Sequence, residues 1–179
     1  MILTGSKITE EVRSGSICLD PFEESLVNPN SYNYRLDKDL VEITYNVDDI
    51  KLLPIQHKLI IPEEGYVLQP NKLYLGVTYE TIGSPKYVPS LIGRSSLGRL
   101  GLFLQITADL GHIGTCHKWT LELTVVQPLR VYSKMRIGQV SFWVTEGLEL
   151  LNGHEYKKEV NSYAKYSEPT HSQMEKLLG

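Results

Sequence analysis

The chain has 179 residues, 41% of them apolar and 22% charged, with a net charge of -3. That length suits one domain with its own core. The mild acidic excess argues against a general nucleic-acid binder, which presents a basic face, but leaves room for a small anionic ligand in a locally basic pocket. Cys18 and Cys116 are the only cysteines, so one bridge at most can form and there is no disulfide framework. The His-x-Glu and Pro-Cys-x-x-Cys pattern of zinc deaminases is absent. The start, Met1 to Lys7, lacks the basic lead and apolar run of a signal peptide. No stretch reaches the roughly 18 apolar residues of a membrane span. A soluble cytoplasmic protein with no membrane partner is expected.

In chain order, a short helix comes first. Ser6 is a candidate N-cap, Ile8 and Val12 share a face, and Gly15 offers a stop. The remainder reads as β. Tyr32 to Leu36 is short and β-prone, Lys72 to Glu80 carries Leu73, Leu75 and Val77 at period two, and Trp119 to Val125 and Ile137 to Val144 alternate. Turn residues separate these runs, at Asn28-Pro29-Asn30, Glu63-Glu64-Gly65, Gln69-Pro70-Asn71 and Gly83-Ser84-Pro85. Short strands punctuated in this way predict a sandwich, jelly roll or barrel. Composition changes near Glu146, which divides a core domain (1–150) from a polar C-terminal segment (151–179). That segment reads as a lid, a subunit-crossing arm or a frayed end.

Three segments carry candidate chemistry. Gly93 to Leu102 holds Arg94, Arg99, Ser95 and Ser96 among three glycines, a composition suited to phosphate and equally found in a solvated polar turn. On the strand from Lys118 to Val125, Trp119, Leu121, Leu123 and Val125 share one face, and Glu122 stands between Thr120 and Thr124 on the other. If that face lines a pocket, loss of water raises the carboxyl pKa and suits a general acid/base; if it is open, Glu122 is a surface residue. The third segment gathers His112, Cys116 and His117, but no fourth ligand stands out, so no metal site is expected.

The run Gly93-Arg94-Ser95-Ser96-Leu97-Gly98-Arg99-Leu100-Gly101-Leu102 resembles the central motif of the dCTP deaminases, within the dCTP deaminase/dUTPase superfamily. Asn28 to Leu36 resembles the family's early Asn-Pro-x-Ser-x-Asp-x-Arg-Leu pattern, with Asn33 in place of Asp. Thr107-Ala108, Thr120 to Leu123, Met135 to Gln139 and the Tyr163-Ala164-Lys165-Tyr166 run follow at the family's spacing. The resemblance implies an all-β distorted jelly roll of the dUTPase type with a short N-terminal helix. It also implies a homotrimer with active sites between subunits. The implied chemistry is deamination without a protein-bound catalytic metal, with Mg2+ accompanying the triphosphate.

By position, Glu122 corresponds to the catalytic glutamate that moves protons between water and the cytosine ring. Ser95 and the carbonyl of Ala108 would hold that water, with Arg99 beside it. Arg94, Ser96, Lys165 and Tyr166 would bind phosphates, and His112, Thr120 and Tyr163 also fall among the substrate-binding positions.

The pattern breaks between Gly111 and His117, where the family has Ile-Asp-Pro-Gly-aromatic-x-Gly. Only Gly114 keeps its place, and His112 replaces the aspartate. A neutral imidazole does not replace a carboxylate that activates water or binds a sugar hydroxyl. The favoured reading is therefore conversion of dCTP to dUTP and ammonia. The alternatives are a dUTP diphosphatase or bifunctional dCTP deaminase/dUTPase, and a non-catalytic nucleotide-binding regulatory protein. Glu168, just after the Lys-Tyr, is unfavourable beside a triphosphate.

Overall fold

The computed structural model describes residues 1–44, 49, 52–104, 108–151 and 165–172. The first helix, α1 (Gly5–Arg13), buries Ile8 and ends before Gly15, which holds φ +79°. Its N-cap is Thr4 rather than the expected Ser6: Thr4 is extended, and its hydroxyl accepts from the amide of Lys7 at 3.4 Å. The Gly5 amide donates to the carbonyl of Pro29 at 2.7 Å, which fixes the turn into the helix two residues early.

Strands follow almost without interruption: β1 (Cys18–Asp20), β2 (Tyr32–Arg35), β3 (Asp39–Thr44), β4 (Ile55–Ile60), β5 (Tyr66–Leu68), β6 (Leu73–Val77), β7 (Thr81–Ser84) and β8 (Tyr87–Gly93). One helical turn, α2 (Ser95–Gly98), precedes β9 (Leu102–Leu104), β10 (Thr115–His117), β11 (Thr120–Val125), β12 (Leu129–Val131) and β13 (Arg136–Val144). All pairings between these strands are antiparallel. They form sheets in the orders β1-β7-β10, β4-β3-β6-β11-β9, β12-β5 and β2-β13-β8. This is the all-β architecture expected, with β6, β11 and β13 falling on the alternating runs of the sequence and β2 on its short β-prone one.

The main core collects Leu36, Leu40, Leu68, Tyr74, Leu91, Leu121, Leu123, Ile137, Val140 and Phe142 from several sheets. Tyr32 and Tyr34 are fully buried on one face and Asn33 and Arg35 are buried on the other, so β2 lies within the molecule on both faces. A buried ion pair closes one end of that strand: the Arg35 Nε donates to Glu80 at 2.6 Å and its backbone amide to the same carboxylate at 2.8 Å, with Glu23 as a second partner. Burial pushes the Glu80 carboxyl up, against the pull of Arg35. Nearby, Asn33 donates its amide to the carbonyl of Leu26 at 3.1 Å and to Asn28 Oδ1 at 3.0 Å.

Candidate active site

Gly93 closes β8, and the chain then makes the single turn of α2, with the Leu97 and Gly98 amides both donating to the carbonyl of Arg94 at 3.0 Å. The turn hands on to β9, which pairs with β11 in the register Leu104 to Leu123, Phe103 to Thr124 and Leu102 to Val125. The Arg-Ser-Ser segment and the strand of Glu122 are thus joined through one hydrogen-bonded neighbour. Ser95, Ser96 and Arg99 are exposed, whereas Arg94 is half-buried with an Nε that has no protein partner. A buried guanidinium nitrogen without an acceptor is costly, and an anion would satisfy it.

The face of β11 divides as its alternation predicts. Leu121, Leu123 and Val125 enter the core, while Glu122 points away from it and is exposed. Register extends that outer face across the sheet: Glu122 lies opposite Leu75 on β6, Leu75 opposite Val41 on β3, and Val41 opposite Lys58 on β4. Cross-strand partners share a face, so the carboxylate stands at the end of an apolar row. Val41, Ile43 and Leu75 form a separate small buried cluster there.

The C-terminal segment is seated over the same row. The amide of Thr170 donates to Thr120 Oγ1 at 3.2 Å, and Glu168 pairs with Lys58 Nζ at 3.2 Å. Between them Pro169 is buried. These contacts run from β4 to β11, the latter within two residues of Glu122. They also dispose of the difficulty over Glu168, since its charge is directed at Lys58. Lys165 is exposed and its ammonium lies 5.3 Å from the Tyr166 ring centroid. Tyr163 lies outside the described residues.

The divergent loop is held from several sides. The Leu91 amide donates to the carbonyl of Asp109 at 2.8 Å, the Gly111 amide to Pro89 at 2.7 Å, and the Ser90 hydroxyl to the Asp109 carboxylate at 3.2 Å. Gly114 has φ +87°, a conformation that favours glycine and accounts for its keeping its place. Ala108 and His112 are exposed, and the carbonyl of His112 accepts from the Thr115 hydroxyl at 2.8 Å. Cys116 is bonded to Cys18. His117 is buried, donates Nδ1–H to the carbonyl of Lys118 at 2.7 Å and lies with its ring centroid 4.3 Å from that of Trp119. Burial lowers its pKa.

The structure therefore brings Ser95, Ser96, Arg94 and Arg99 onto one turn, and Thr120, Glu122 and the 165–172 segment onto one sheet face. Sequence reasoning missed Asp109 and Lys58, and left open whether Cys18 and Cys116 form the single bridge they allow. Asp109 adjoins the Thr-Ala pair and is legible as a carboxylate beside a candidate water site. The other two depend on long-range register, for which no local signal exists.

The wrapped antiparallel sheets define the dCTP deaminase/dUTPase-like β fold. The solved structure of 2'-deoxycytidine 5'-triphosphate deaminase from Agrobacterium tumefaciens superposes with a TM-score of 0.65 at 18% identity, over 80% of this chain and 48% of that one. A family model described as dCTP deaminase-like matches residues 2–145. A protein from Clostridium botulinum named "dCTP deaminase, dUMP-forming" is 45% identical over 158 residues, covering 88% of this chain and 91% of its own. Another of the same name from Cytophaga hutchinsonii is 47% identical over 147 residues, covering 82% and 84%. The chain belongs to the dCTP deaminase-like family. The names of these relatives correct one expectation: their product is dUMP, whereas the sequence reading ended at dUTP.

Proposed function

We propose that this protein hydrolyses the exocyclic C–N bond of dCTP and carries the product on to dUMP, releasing ammonia and pyrophosphate. The balance is one dCTP and two waters to one dUMP, one ammonia and one pyrophosphate. The observation that carries this reading is the position of Glu122, on the sheet face crossed by the C-terminal segment and one strand from the Arg-Ser-Ser turn.

Cytosine C4 resists attack until N3 is protonated. Glu122 takes a proton from the attacking water and delivers it to N3, then carries the remaining proton of the new C4 hydroxyl to the amino nitrogen, which leaves as ammonia while the C4 carbonyl forms. Ser95 and the carbonyl of Ala108 orient the water, and Arg99 compensates the carboxylate. Arg94, Ser96, Lys165 and Tyr166 hold the phosphates, which arrive with Mg2+ as part of the substrate, while His112, Thr120 and Tyr163 bound the nucleoside. Exposure of Glu122 in the single chain supports a site completed by nucleotide and a neighbouring subunit, as in a homotrimer. With His112 in the family's aspartate position, Asp109 is the carboxylate of the same loop that can activate water for the phosphate step.

The test separates ammonia from pyrophosphate release with dCTP, dUTP and dCMP in Mg2+. Glu122→Gln is expected to reduce ammonia release by at least about 10³-fold, an effect of the size proton-transfer catalysis supplies. Asp109→Asn is expected to retain deamination and accumulate dUTP. Wild-type protein that releases pyrophosphate from dUTP but no ammonia from dCTP would sink the reading.

A further inference from the structure

We infer that Cys18 and Cys116 form a reversible redox site that couples thiol–disulfide state to nucleotide handling. The coupling rests on the functional reading above; the redox site itself does not. Cys18 lies on β1 and Cys116 on β10, and both occupy the register of Gly83 on the intervening β7. Their Cα atoms are 6.3 Å apart, within the reach of a disulfide. Gly83 makes this approach feasible. A Cβ there would fall 1.7 Å from the carbonyl oxygen of Thr115 and 2.6 Å from the Cα of Cys116. The backbone of β10 is therefore seated directly on that glycine, and any side chain would push Cys116 away from Cys18.

The location gives the bond its consequence. Three register pairs with β7 are the strand pairing of β10. That short strand connects the loop bearing Ala108, Asp109 and His112 to β11, which carries Glu122 six residues after Cys116. The bond ties this segment to β1, 98 residues away in sequence. Cys116 is exposed and Cys18 half-buried, so a small thiol has access to a sulfur. Reduction consumes two small-molecule thiols and yields two cysteine thiols and one small-molecule disulfide. Oxidation is the reverse exchange with a small-molecule disulfide, and no other electron carrier is needed. The oxidised form adds a covalent tie to β1; the reduced form holds the segment through the three β7 register pairs, the Gly114 amide on Ser84 and the bonds of Asp109 and Gly111 to β8.

The experiment equilibrates the full-length protein in glutathione buffers of graded potential. Free thiols are counted, protection of amides 110–118 is followed by hydrogen exchange, and KM and kcat for dCTP are measured in each buffer. Thiol count is expected to fall from two to none across the series, with protection of 110–118 rising at least about tenfold. KM is expected to fall several-fold on oxidation with little change in kcat. Cys18→Ser and Cys116→Ser should each give the reduced behaviour in every buffer. Cys18→Ala serves as a second variant should a serine be poorly tolerated there.

Two thiols retained under oxidising conditions, or equal protection in both states, overturns the redox site. A clean thiol transition with unchanged KM overturns the coupling. If no nucleotide is turned over, the functional reading fails while thiol count and exchange still judge the redox site.

Discussion

Asn33 shows how one residue can depart from a family pattern without loss of local order. Its side-chain amide is almost fully buried and donates to two oxygens, the carbonyl of Leu26 and Asn28 Oδ1. Asn28 in turn donates to Ser31, which donates to Gln139 at 3.2 Å. An aspartate has no donors to offer these acceptors and would face both with negative charge. Asn33→Asp is expected to cost about 2–3 kcal/mol, the penalty of breaking hydrogen bonds and burying a poorly paired charge. Urea unfolding measures it; an unchanged midpoint would show that the network rearranges freely. At this scale the sequence was informative wherever alternation alone decided a direction. Alternation with Trp119, Leu121 and Leu123 puts Glu122 on the non-core face of its strand, and it stands there. What covers that face was not legible, because Lys58, Val41 and Leu75 reach it from three other strands.

Among the elements, β10 is the one whose stability should respond most to conditions. His117 donates Nδ1–H to Lys118, so its neutral form leaves Nε2 as an acceptor, and that atom is buried without a protein partner. Protonation would add a charge and a buried donor with nothing to receive it, which is why burial lowers the pKa from its ordinary 6.5. The sign follows from proton uptake. Below pH 6.5 the unfolded chain binds a proton at this site that the folded chain resists, so stability is full above that value and declines as pH falls toward the folded pKa. His117→Phe keeps a flat ring against Trp119 and cannot titrate. The variant is expected to show a shallower loss of thermal stability between about pH 6.5 and pH 5 than wild type. Parallel curves for the two proteins would place the acid sensitivity elsewhere.

The same element marks a limit of sequence reading. His112, Cys116 and His117 stand close together in the chain, but the fold disperses their chemistry. Cys116 bonds to Cys18 through the register of β7, while His117 turns onto Lys118 and Trp119. The weakly patterned β4, mostly exposed, likewise left no periodic signal.

At the scale of the whole molecule, the exposed apolar side chains argue for an assembly. Ile92, Leu100, Phe103, Leu110 and Val126 are between 42% and 68% exposed, and all belong to the stretch from β8 to the residue after β11 that also holds the candidate catalytic groups. Phe103 lies opposite Thr124, on the same face of the sheet as Glu122. A surface that exposes this many large apolar groups, one of them on the face of the proposed catalytic carboxylate, invites a second copy that would remove them from water. At micromolar concentration the protein is expected to sediment as a closed trimer of 20.3 kDa chains. Phe103→Glu combined with Val126→Glu places charge on that surface without touching a proposed catalytic group, and each side chain is already exposed, so the single fold should survive. The double variant is expected to sediment as a monomer, keep its far-ultraviolet spectrum and lose at least about 10²-fold in deamination, as expected when a site loses groups that position its reactants. A monomeric variant with full turnover would show that one chain builds the complete site, and the exposure of Glu122 would then need an explanation within the subunit, from the C-terminal segment alone.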